Sequence, residues 1–389
     1  MKARKASAAL ADLFLVLFLS MSQAADADII EIPSGAALIG GTGGPLIVAG
    51  DPNGIPPDSP DNRVDPNTPT SPFSGVVSIN IRFVEGGVAE SFLCSGTLVA
   101  SRYVVTAAHC LDVDGTGKLV DITQTGNDVR VAFNAGALGE PGRVNITASA
   151  VSMNPNFEGF GVCAFPESFL CINDDIAVIT LGQDAPVEAK TYRVFSGDVT
   201  TGQLITMVGY GVSGNGVTGY DFVNYDADFH IKRSGQNVLD VFDRDDEKNF
   251  ALASPQENWF ADFDGLGKDL FCTTLGVCTQ VLANDKEAMI GPGDSGGAAF
   301  LFNGSEYFLM GDLTFERFGD PRGSFGSGMG GNLFSAYIDY LEGATGGVIE
   351  TVSAIGTVPE PGTCTLMLIG LGLAGAATRR RGKLRKVKL

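Results

Sequence analysis

Histidine and tryptophan are almost missing from this chain: two histidines, His109 and His230, and one tryptophan, Trp259, in 389 residues. With so few imidazoles, and no two cysteines at C-x2-C spacing, the sequence argues against a zinc site. Cations are scarce too, at 26 Lys and Arg against 45 Asp and Glu. No apolar run reaches the roughly 20 residues needed to span a bilayer as a helix. What is abundant is glycine, 52 residues, within a composition that is 44% hydrophobic. Short β-branched runs separated by Gly, Asn, Asp and Pro predict a packed body of many short strands joined by turns.

The two ends differ from this body. Lys2, Arg4 and Lys5, an apolar run from Leu13 to Leu19, and Ser22-Gln23-Ala24 form a secretory signal over residues 1–24. At the other end, Val358-Pro359-Glu360-Pro361 precedes an apolar, Gly-rich stretch from Leu366 to Ala377 and then Arg379-Arg380-Arg381. Basic residues beyond an apolar segment hold that side in the cytoplasm and leave the body across the membrane. This order of parts over residues 357–389 resembles the PEP-CTERM sorting signal. The resemblance implies transient inner-membrane association through the tail, an exosortase-type enzyme and secretion machinery as partners, and release or display at the cell surface or in an extracellular matrix. Residues 25–362 carry 16 basic against 44 acidic side chains, a surface that disfavours nucleic acid and anionic lipid.

From residue 25 to 72 the composition is rich in Gly, Pro, Asp and Asn, as in Asp51-Pro52-Asn53-Gly54-Ile55-Pro56-Pro57-Asp58. It is expected to bury no core and to serve as a propeptide or linker. A folded domain is expected over 73–345. Val76-Val77-Ser78-Ile79-Asn80-Ile81-Arg82-Phe83 largely alternates apolar and polar residues, the mark of a half-buried strand. Runs of the same kind at Tyr103–Thr106, Asp175–Leu181 and Ile205–Gly211 suit an antiparallel barrel or sandwich. The polar stretch 218–286 reads as strands carrying a long insertion. Ala336-Tyr337-Ile338-Asp339-Tyr340-Leu341-Glu342 has helical spacing and predicts a closing helix.

Two segments carry chemistry. Thr106-Ala107-Ala108-His109-Cys110 follows a strand and presents an imidazole, the side chain that exchanges a proton near neutral pH. Gly291-Pro292-Gly293-Asp294-Ser295-Gly296-Gly297 places a hydroxyl in a Gly-rich turn that lets a substrate come close, with the N–H groups of Gly293 and Ser295 available to a developing oxyanion. Six cysteines precede the tail, and an even number on an exported chain predicts disulfides. Of the fifteen pairings, Cys94 with Cys110, Cys163 with Cys171 and Cys272 with Cys278 need the least rearrangement.

Together with Cys94-Ser95-Gly96-Thr97-Leu98, Asp175-Ile176-Ala177 and Gly209-Tyr210-Gly211, these segments resemble the trypsin and chymotrypsin family over about Pro72 to Leu341. The resemblance implies an all-β fold of two packed antiparallel six-stranded barrels with a short C-terminal helix. It implies a serine endopeptidase acting on polypeptide through an acyl-enzyme, with no cofactor required. Ser295 would be the nucleophile, His109 the base and Asp175 the residue that orients it, with Asp174 the fallback. Met289 stands at the base of the specificity pocket, and Thr314, Phe315 and Glu316 match the strand that lines it. Since trypsin has an aspartate where this chain has Met289, cleavage after Arg or Lys is not expected. Activation in the family frees an apolar N-terminus whose ammonium pairs with the residue matched by Asp294; Arg63-Val64 offers such a cut and makes Val64 the candidate. Asp112 and Asp114 begin a partial calcium-loop pattern, but its twelfth position is Thr123 and a plain turn is the stronger reading. The alternative to an enzyme is a catalytically silent surface-binding or matrix protein on the same scaffold.

Overall fold

The computed structural model describes residues 47–134, 142–159, 173–220, 231–248, 250–317 and 319–355. The signal segment, the sorting tail, Cys163 and Cys171 lie outside the described residues.

Six strands close a barrel in the order β1-β2-β3-β6-β5-β4: β1 Val76–Glu85, β2 Val88–Ala100, β3 Tyr103–Thr106, β4 Asp128–Phe133, β5 Val144–Met153 and β6 Ala177–Leu181. All their pairings are antiparallel. The alternation in β1 works as its sequence requires: Val77, Ile79, Ile81 and Phe83 enter the barrel core with Leu98, Val104, Val131 and Ile179. Each such side chain contributes about 1.5–3 kcal/mol by leaving water. Gly86 and Gly87 turn β1 into β2 with φ of 57° and 84°, and glycine adopts this pair of left-handed conformations without steric cost.

The second half holds two sheets. One has the order β16-β7-β13-β12-β8-β9, with β7 Val194–Phe195, β8 Leu204–Gly209, β9 Arg233–Val238, β12 Ala298–Phe302, β13 Tyr307–Asp312 and β16 Thr351–Val352. The other has the order β10-β11-β15-β14, with β10 Val241–Arg244, β11 Gln256–Asp262, β14 Phe315–Arg317 and β15 Gly328–Asn332. A bridge between Gly311 and Leu333 links them. A core of Phe73, Tyr192, Val208, Phe300, Leu309, Phe334 and Leu341 lies beside the barrel. The architecture is the all-β, chymotrypsin-like class expected. Helix α1, Leu270–Leu275, is capped by Asp269, and α2, Ile338–Thr345, is the closing helix. Among the described residues no helix is long and apolar enough to cross a membrane. Between β12 and β13 the chain turns where Asn303 Oδ1 accepts the N–H groups of Ser305 and Glu306.

Residues 47–72 overturn the expectation that this stretch buries no core. Ile47, Val48 and Ala49 are wholly buried, and Val48 pairs with Met289. Arg63 forms an ion pair of 2.5 Å with Asp58, the two side chains being 5% and 0% exposed. Its guanidinium also donates to the carbonyls of Lys286 and Glu287. Buried Lys232 pairs with Asp65 at 3.3 Å. Polar side chains fix this segment where apolar periodicity is missing, because each buried charge meets a partner or a carbonyl.

Candidate active site

The histidine loop leaves the barrel at the end of β3. Thr106 pairs with Ala177 of β6, and this register sets residue 175 beside the turn Ala107–Cys110. It is Asp175, not Asp174, that meets His109. The imidazole Nδ1–H donates to Asp175 Oδ2 at 2.6 Å, and the backbone N–H of His109 donates to Oδ1 at 2.7 Å. A carboxylate oxygen accepts, so Nδ1 is the ring nitrogen that carries a proton toward Asp175. Asp175 is 0% exposed. Asp174 turns elsewhere: Asn154 Nδ2 donates to its Oδ1 at 2.9 Å, its N–H donates to Tyr337 Oη, and burial pushes its carboxyl up to about 8.

Cys94 and Cys110 are bonded, which ties the turn behind His109 to β2. Cys272 and Cys278 are bonded as well. Cys94, His109 and Cys110 lie within metal-binding reach of one another, but the disulfide occupies both sulfurs.

Ser295 lies in a turn that rests against the same strand, β2. The Ser95 N–H donates to the Ser295 carbonyl at 2.8 Å, and Cys110 Sγ is 3.8 Å from that carbonyl. Gly296, at φ 73°, leaves no room for a side chain: a Cβ would lie 2.1 Å from Thr106 Oγ1 and 2.7 Å from the Ala107 N–H. The serine turn and the histidine turn are thus packed backbone to backbone. Among the described residues, no acceptor takes up the N–H of Gly293 or of Ser295. Asp294 is fully buried, with Gly211 N–H donating to Oδ1 and Gly291 N–H to Oδ2; desolvation pushes its carboxyl up to about 7.

Met289, Thr314, Phe315 and Glu316, the residues expected to line a specificity pocket, are all buried. Met289 pairs with Val48. Thr314 Oγ1 donates to Asp312 Oδ1 at 3.0 Å, Phe315 stacks edge-on with Phe260, and Tyr220 Oη donates to Glu316. Two residues absent from the sequence reading matter here. Tyr220 fixes the Glu316 carboxylate, and Asp312 is a buried carboxyl raised well above the usual range, first by desolvation and then by the charge of Asp175. No local pattern marks either, since each acts through a distant partner.

The candidate activation site, Arg63-Val64, lies within the described residues. Arg63, which would precede the cut, is locked in the buried pair with Asp58, and Val64 is 40% exposed in a bridge to Arg233. Ile47 lies inside: Ser213 Oγ donates to its carbonyl, and its equally buried neighbour Val48 runs beside Met289, two residues before Gly291. The loop at Asp112 is a turn held by its own backbone, because the Asp112 carboxylate accepts the N–H groups of Asp114, Gly115, Gly117 and Lys118.

Residues 63–238 match the Trypsin family model, and residues 357–381 match the PEP-CTERM protein-sorting motif. The chain is also similar to Brachyurin of Leptuca pugilator, 27% identical over 146 residues. That match covers 37% of this chain and 56% of the relative, so it spans little more than half the relative's length. The Trypsin match contains His109 and Asp175 and ends before Ser295.

Proposed function

We propose that this chain, which carries a trypsin-family domain and a PEP-CTERM motif, is an exported serine endopeptidase with Ser295, His109 and Asp175 as its catalytic residues. The doubly hydrogen-bonded His109–Asp175 pair, set against the serine turn, carries the reading. In this reading Nε2 of His109 takes the proton of Ser295 as the hydroxyl attacks a peptide carbonyl. Asp175 holds the tautomer and stabilises the imidazolium that forms. The N–H groups of Gly293 and Ser295 receive the negative charge of the tetrahedral intermediate. The imidazolium then protonates the leaving amine, and water hydrolyses the acyl-enzyme by the same steps in reverse.

Buried Met289 and Phe315, with Glu316 already engaged by Tyr220, favour a small or apolar residue ahead of the scissile bond over Arg or Lys. Activation frees an N-terminus at Ile47, whose ammonium would restore the charge that burial removes from Asp294. N-terminal sequencing of the active enzyme should begin at Ile47, and a start at Val64 would contradict this. Through its tail the chain is a substrate of an exosortase-type sorting enzyme and reaches the cell surface, the extracellular matrix or the medium after transient contact with the inner membrane.

A fluorophosphonate probe tests the central assignment, because it reacts only with an activated serine. Labelling mapped to Ser295 by peptide mass spectrometry is expected. A folded, unlabelled protein would point to the catalytically silent binding protein instead.

A further inference from the structure

Five carboxylates gather beside the loop that presents Asp175. Asp174, Asp246 and Glu247 each offer an oxygen within 4.8 Å of the others, and Asp245, Glu247 and Glu257 form a second group that shares Glu247. They come from two parts of the chain, the turn before β6, and the loop joining β10 to β11 together with the start of β11. Asp174, Asp245, Asp246 and Glu257 are between 4% and 7% exposed, whereas Glu247 faces solvent.

Protein donors satisfy only part of this charge. Asn154 Nδ2 donates to Asp174, Asn156 Nδ2 donates to Glu247 at 2.6 Å, the Asp246 N–H donates to Glu257 at 3.2 Å, and Lys248 pairs with Asp245. Asp246 is the exception. It is 7% exposed, it lies in the group with Asp174 and Glu247, and its Oδ1 has no hydrogen-bond partner. A buried carboxylate oxygen with neither donor nor cation is costly.

The spacing and chemistry fit a hard cation. Two oxygens on opposite sides of an ion bound at about 2.3–2.6 Å are roughly 5 Å apart at most. An all-oxygen set with an open, solvent-facing side suits calcium, which accepts irregular geometry and completes its shell with water, better than nitrogen- or sulfur-seeking metals. We propose that Asp174, Asp246 and Glu247, backed by Asp245 and Glu257, bind a calcium ion that ties the β10–β11 loop to the loop carrying Asp175. On the endopeptidase reading, the ion also steadies the carboxylate that orients His109. Binding itself does not depend on that reading.

The test uses the full chain stripped with chelator. Terbium serves as the probe, excited through Trp259, the single tryptophan, which lies on β11 two residues beyond Glu257. Sensitised terbium emission that calcium displaces is expected. Calcium at about 100-fold over its Kd should raise Tm by about 5 °C. Asp246→Asn and Glu247→Gln should each weaken binding by at least about tenfold. Glu247 is exposed, so its variant decides the matter even where Asp246→Asn fails to fold. No emission and no Tm change up to about 10 mM calcium, or an unchanged response in Glu247→Gln, overturns the site. Peptidase activity enters none of these readouts, so failure here is distinct from failure of the Ser295 assignment.

Discussion

His109 and Asp175 are joined twice, ring to carboxylate at 2.6 Å and backbone to carboxylate at 2.7 Å. The second bond fixes the turn and the first fixes the ring, so the carboxylate does both tasks from a fully buried position. Asp175→Asn keeps the shape but can donate to Nδ1, which favours the wrong tautomer. kcat should fall by about 10^4 with a much smaller change in KM. Steady-state kinetics on a peptide substrate measure this, and a loss under tenfold would count against the role given to Asp175.

Arg63, held by Asp58, ties residues 47–72 to the second half through the carbonyls of Lys286 and Glu287. Arg63→Ala leaves Asp58 buried without its cation, and removing one partner of such a pair costs about 3–5 kcal/mol. Urea unfolding should show that loss. A variant as stable as the parent would mean that the segment is only loosely attached.

Buried carboxyls set a pH dependence. Asp240, Asp264 and Glu287 are pushed up to about 7, 8 and 9, in each case first by desolvation. Their folded values exceed the unfolded ones, so the folded state binds the protons more tightly. The stability they contribute is full below about pH 4 and is lost as pH rises through about 7 to 9. Tm scanned across that range should fall with rising pH. A flat or rising profile would contradict the burial of these groups.

These relationships were unevenly legible in the sequence. β1 alternates cleanly, α2 has helical spacing, and the turns around His109 and Ser295 are dense local motifs, so each was visible where it stands. Asp175 is set apart from Asp174 in the sequence only by the family resemblance and the strand that follows it; the physical reason is the β3–β6 register, a contact between segments some 70 residues apart in the chain. Residues 47–72 were misread because composition reports apolar periodicity, whereas this stretch is held by Arg63, Asp58 and Asp65 through partners more than 200 positions away in the case of Lys286 and Glu287. The carboxylates of residues 174 and 245–257 belong to the same class, ordinary acidic residues until the fold brings them together.

Turnover by Ser295→Ala tests the account most directly. Removing the nucleophile of a triad lowers kcat by a factor on the order of 10^6, while Ser295, half-buried in its turn, can lose its hydroxyl without unfolding the domain. The account predicts that the variant keeps the parent's Tm and loses hydrolysis of casein and of a mixed peptide library. Hydrolysis undiminished in a correctly folded Ser295→Ala protein would contradict it.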